Sequence, residues 1–95
     1  MTLLEMTYRQ LRSAELVDCA EGFSRAYLGK GKNWYAYQKF SGRDYSIDAA
    51  MQCLRSVRVK QHTPNTSRSQ RHVLRHVETQ LAAHLSARYG VAEVC

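Results

Sequence analysis

The sequence predicts an all-α domain of four or five helices, with a long helix at its C-terminal end. Three observations carry that expectation. Apolar residues recur at three- and four-residue spacings along most of the chain, the period of a helix with one buried face. Serine and aspartate stand just ahead of those runs and glycine just behind them, where helix starts and stops are marked. One proline and five glycines in 95 residues leave too few turns for a many-stranded β-fold. A chain of this length makes one modest core, and its hydrophobic share of 44% argues against wholesale disorder.

Leu3, Leu4, Tyr8 and Leu11, followed by Leu16, place a first helix over residues 3–13. Residues 13–17 form its exit. Asp18 and Glu21 make an Asp-x-x-Glu start for a second helix over 19–28, in which Asp18 would accept backbone N–H bonds. Phe23, Tyr27 and Ala20 would face inward. Gly29-Lys30-Gly31 ends that helix, since glycine takes the left-handed conformation at little cost. A third helix spans 32–40 or 41 and closes at Gly42. After the short loop Arg43-Asp44-Tyr45, Ser46 caps a fourth helix with Asp48 in its first turn. Its apolar stripe reads Ile47, Ala50, Met51, Leu54 and Val57.

Residues 59–68, with Pro64-Asn65 as a breaker, read as the one linker. A fifth helix then starts at Ser67 or Ser69 and runs to Tyr89, where Gly90 stops it. At 1.5 Å per residue it would be roughly 30 Å long. The expected organisation is a core domain over 1–58, the linker over 59–68, and a C-terminal helix over 69–95. The stripe Leu74, Val77, Leu81 and Leu85 either packs that helix on the core or pairs it with a second copy in a homodimer.

Charge is uneven. Residues 1–21 carry a net −2, residues 22–75 a net +9 and the remainder a net −1. The basic excess therefore lies in the middle of the chain, where a polyanion would be held, because each neutralised phosphate releases condensed counterions.

Within that basic middle, two helices joined by a glycine-containing turn form the pattern of a helix-turn-helix. In such a motif the second helix enters the major groove. Lys32, Asn33, Ala36, Tyr37 and Gln38 would then meet base edges, since lysine suits guanine and asparagine or glutamine suits adenine. Lys30, Lys39, Arg43, Arg55, Arg58, Lys60, Arg68 and Arg71 would hold phosphates, contacts that orient without reading sequence. Trp34, Tyr35, Tyr37 and Phe40 cannot share one face, because successive residues diverge by about 100°. At least one ring is exposed, free to stack on a base or anchor a protein partner.

Residues 20–57 resemble the Cro/repressor-type helix-turn-helix, and more closely a family of short uncharacterised bacterial proteins with that kind of core. The resemblance rests on Phe23-Ser24-Arg25, Leu28-Gly29, Gly42-Arg43 and Ser46-Ile47. It implies a four- or five-helix fold and a DNA-binding regulator of phage or mobile-element type, commonly dimeric. The chain departs from the pattern in a longer spacing from Gly29 to Gly42, a heavy aromatic load on the third helix, and Gln38 at an apolar position.

The function expected is therefore sequence-preferring binding of double-stranded DNA in transcriptional regulation. The alternative is a small adaptor or phage-type inhibitor that binds a protein through Trp34, Tyr37 and Phe40. No phosphate loop or metalloprotease motif is present, so an enzyme is not expected, and neither is a cofactor. Cys19, Cys53 and Cys95 lack the spacing of a zinc site or a disulfide framework. His72 and His76 stand four apart, a spacing that can hold a metal, but read better as a surface pair. No apolar run reaches the roughly 18 residues of a membrane span. The N-terminus does not read as a secretory leader, so a cytoplasmic location is expected.

Overall fold

Five helices make up most of the computed structural model, which describes residues 1–90. They are α1 Leu3–Ser13, α2 Ala20–Ala26, α3 Trp34–Phe40, α4 Ile47–Gln61 and α5 Arg68–Tyr89. No strand occurs among the described residues, and no helix is long and apolar enough to cross a membrane. Cys95 lies outside the described residues.

The ends of α4 and α5 follow from local chemistry. Ser46 accepts the Ala49 N–H, and Ser67 forms a reciprocal capping box with Gln70, which satisfies donors that the first turn leaves open. Gly42 and Gly90 take left-handed φ of 70° and 67° after α3 and α5. The α2 start differs from expectation. Cys19 is the N-cap and makes no side-chain cap bond, so the Asp18–Glu21 box does not form. The helix is also three residues shorter than residues 19–28 suggest, counting one at its start and two at its end. Gly29 at φ 64° turns the chain there, letting the Lys30 N–H reach the Ser24 carbonyl at 2.9 Å.

α4 and α5 are antiparallel neighbours with the most extensive contact in the fold, and α1 lies against α5. The core draws Leu4 and Leu11 from α1, Phe23 from α2, Leu54 and Val57 from α4, and Leu74, Val77, Leu81 and Leu85 from α5, all fully buried. Each such side chain contributes roughly 1.5–3 kcal/mol. The α5 stripe is thus enclosed by its own chain. A Cα radius of gyration of 12.4 Å is that of a close-packed chain of this length, so α5 does not project from the body.

Two expectations for α4 need correction. Its buried face is Ala49, Ala50, Cys53, Leu54 and Val57, whereas Ile47 is exposed and Met51 only half-buried. The helix also runs to Gln61, three residues into the stretch expected as linker. Burial pushes the Cys53 thiol up to about 12, which marks it as an inert packing group.

Candidate nucleic-acid interface on the third helix

α3 is held at its two ends by hydrogen bonds to other parts of the chain. Its N-cap, Asn33, makes no side-chain cap bond. The fully buried Ser24 of α2 supplies that bond instead, its Oγ accepting the Tyr35 N–H at 3.0 Å. At the other end Gln38 Nε2 donates to the Asp44 carbonyl at 3.0 Å. The Asp44 carboxylate in turn accepts the N–H groups of Leu4 at 3.0 Å and Leu3 at 3.3 Å. It therefore completes the N-terminus of α1, whose Glu5 N–H the N-cap Thr2 already takes, and a negative charge there suits the helix dipole.

The inward side of α3 is aromatic. Tyr35 is buried with its ring 4.7 Å from Tyr8 and 5.2 Å from Phe23, the latter edge-to-face, a favourable quadrupolar arrangement. Burial raises the Tyr35 hydroxyl to about 12, so it stays neutral. Trp34 is half-buried, and the Lys30 ammonium stands 5.7 Å from its ring centroid, within cation–π range.

The outward side carries Asn33, Ala36, Tyr37 and Phe40, an i, i+3, i+4, i+7 stripe that is exposed throughout. Tyr37 is 69% and Phe40 96% exposed, which decides which rings leave the core. Lys32, Lys39 and Arg43 border the stripe, exposed and without an acidic partner among the described residues. Asp44 and Asp48, the acids that follow α3 in the chain, are already engaged. Asp44 serves α1, and Asp48 pairs with Lys30 and Ser46, a pairing that lowers its carboxyl from 3.8 to about 2. Open grooves flank the stripe. One runs between Lys32 and Tyr37 over Trp34, and the other lies between Phe40, Lys39 and the α1 residues Tyr8 and Arg12.

Several expected contact residues have other occupations. Gln38 is half-buried and bound to Asp44, because its amide replaces the apolar residue that would otherwise fill that position. Lys30 is held by Asp48 and Trp34. Arg58 pairs with Glu78 at 2.8 Å, and Arg71 donates to the Gln61 carbonyl at 3.0 Å. These last two tie α4 to α5 around Glu78, which Gln61 also bonds at 2.7 Å. Arg55 and Arg68 are exposed and Lys60 half-buried, but none of them lines a groove beside α3. Lys32 and Asn33 lie in the turn before α3 rather than within it. Sequence reasoning missed Arg12, whose position beside Lys39 depends on how α1 packs.

The α2–α3 connection spans residues 27–33, longer than the three- or four-residue turn typical of a helix-turn-helix. The excess is the Gly29-Lys30-Gly31 reversal, which carries the chain from Ser24 out to Lys32 and back.

No curated protein and no solved structure matches the chain. A family model described as a family of unknown function (DUF6626) matches residues 4–94, and on that span, nearly its whole length, the chain belongs to this family.

Proposed function

We propose that this protein binds double-stranded DNA through the outward face of α3, acting as a sequence-preferring transcriptional regulator. The observation that carries the reading is the set of cations Lys32, Lys39 and Arg43, without an ion pair among the described residues, around an exposed Asn33–Ala36–Tyr37 stripe, with Asp44 and Asp48 engaged elsewhere. Phosphates would meet Lys39 and Arg43, while Lys32, Asn33 and Tyr37 would reach base edges in the major groove. Ala36 leaves room for close approach. α2 and α3 would serve as a helix-turn-helix with an extended turn. At seven residues, α3 is about 10 Å long, enough to address three or four base pairs.

The test is fluorescence anisotropy with random-sequence duplex and with the DNA upstream of the protein's own gene, across a salt series. Two phosphate contacts give a log–log salt slope near −2. The K32A/N33A variant should weaken binding to the preferred duplex by roughly 1–3 kcal/mol per lost bidentate contact. Unchanged affinity in that variant would remove α3 as the reading element.

A second reading has its own observation: Phe40 is almost fully solvent-exposed, an unusual place for a large aromatic. As a hot-spot anchor it would dock on a protein partner. Binding that collapses in F40A and varies little with salt would favour this reading over DNA.

A further inference from the structure

The exposed stripe of α3 has a flank on either side, and the flank toward α1 carries a cation from outside the helix-turn-helix pair. Tyr8 brings α1 against α3, its ring 4.7 Å from that of the buried Tyr35. The open groove between the two helices has Arg12 on its α1 wall and Lys39 on its α3 wall. Tyr8, Ala20, Ala36 and Phe40 supply apolar lining, and no carboxylate lines it. Arg12 is exposed and without an ion pair among the described residues. Its Nη1 donates to the Tyr8 hydroxyl at 3.2 Å, which leaves the rest of the guanidinium's donors free.

The dimensions of a duplex give this flank an occupant. A helix with its side chains is about 10–12 Å across, and the major groove is about 12 Å wide. A helix seated there therefore has a sugar–phosphate strand along each of its sides. On the α1 side of α3, such a strand would meet cations on the two walls and uncharged side chains between them. That arrangement suits a backbone in which uncharged deoxyriboses separate anionic phosphates. A contact on the α1 wall would also fix how the body of the protein sits about the α3 axis.

We propose that Arg12 is a phosphate ligand of the bound duplex, holding with Lys39 the DNA strand that borders α3 on its α1 side. The inference rests on the reading of α3 as the DNA-binding face and extends the interface to the first helix.

The test is the salt dependence of binding to a random-sequence duplex, followed by fluorescence anisotropy in the wild type, R12Q, R12K and R55Q. A third phosphate contact steepens the log–log slope from about −2 to about −3. R12Q should return the slope to about −2, and R12K, which keeps the charge, should hold it at about −3. Arg12 is exposed, so neither change disturbs the core. Arg55 is the control, because it is equally a surface cation but lines neither groove beside α3. R55Q removes the same charge and should leave the slope unchanged. An R12Q slope equal to that of a DNA-binding wild type, or an R55Q slope as shallow as that of R12Q, would overturn the role of Arg12 and leave the α3 reading standing. A wild type that binds no duplex at low salt would remove both.

Discussion

Glu15 holds a φ of 60°, the left-handed region that costs a side-chain-bearing residue about 1–2 kcal/mol. It does so because α1 ends in a Schellman turn, with the Leu16 N–H bonded to the Leu11 carbonyl at 2.9 Å and Glu15 at the position glycine usually takes. E15G should therefore raise stability by about 0.5–1 kcal/mol, the relieved strain less the added freedom of the unfolded chain. A denaturant midpoint that falls in E15G would contradict this. Gly29 presents the reverse case. A Cβ there would meet Gln52 Cγ at 3.1 Å on a backbone already at φ 64°, so both the space and the conformation call for glycine. Gly29 was legible as a stop because its chemistry is local. Glu15 was not, since nothing in a glutamate announces a positive φ.

At the scale of the element, the helices differ in where their caps come from. α4 and α5 are closed by serines immediately before them, and both starts could be read from the sequence. α3 borrows Ser24 across 11 residues, and α1 adds to its own Thr2 cap the Asp44 carboxylate from about 40 residues away. In the sequence, Asp44 reads only as part of a loop. D44A should cost about 1–2 kcal/mol by leaving the α1 amides without their acceptor, whereas D44N, which can still accept, should lose less. Thermal melts of the two variants decide the matter, and equal loss in both would mean that packing, not capping, sets the cost. The face of α4 was misread for a related reason. Ile47 and Met51 outrank Ala49 and Cys53 in apolar bulk, yet tertiary packing selected the small residues. The third helix showed its aromatic load in sequence, but the outward direction of Tyr37 and Phe40 became clear only once Tyr35 was fixed against Tyr8 and Phe23.

Over the whole molecule, charge separates into used and unused groups. Glu78 is pulled below its ordinary 4.5, first by the Gln61 amide and then by Arg58, and Asp48 sits at about 2 through Lys30. A carboxyl lowered in the folded state adds stability that is complete above its unfolded value near 4 and is lost as pH falls through the folded value. Stability should thus decline between about pH 5 and pH 2, by no more than about 1 kcal/mol per pair because both pairs are solvent-accessible. D48N/E78Q should flatten that decline, and a variant with an unchanged acid profile would shift the cause to other carboxylates. The sequence revealed a basic middle but not this division, because pairing depends on which helices meet. Arg58 and Arg71, expected on a phosphate track, join α4 to α5. Lys32, Lys39 and Arg43 are left to act outward.

The Asp44 bridge also bears on how the chain folds as it is made. During vectorial synthesis α1 leaves the ribosome first with its own Thr2 cap, yet the carboxylate that takes its Leu3 and Leu4 amides is encoded some 40 residues later. The Leu3 and Leu4 amides of the first helix therefore stay without this acceptor until the loop after α3 has emerged and curled back. The nascent chain then seals α1 and anchors the Gln38 end of α3 through a single residue. Translational pausing while residue 44 is still inside the ribosome would leave both helix ends without it, and pausing once it has emerged would let them close together.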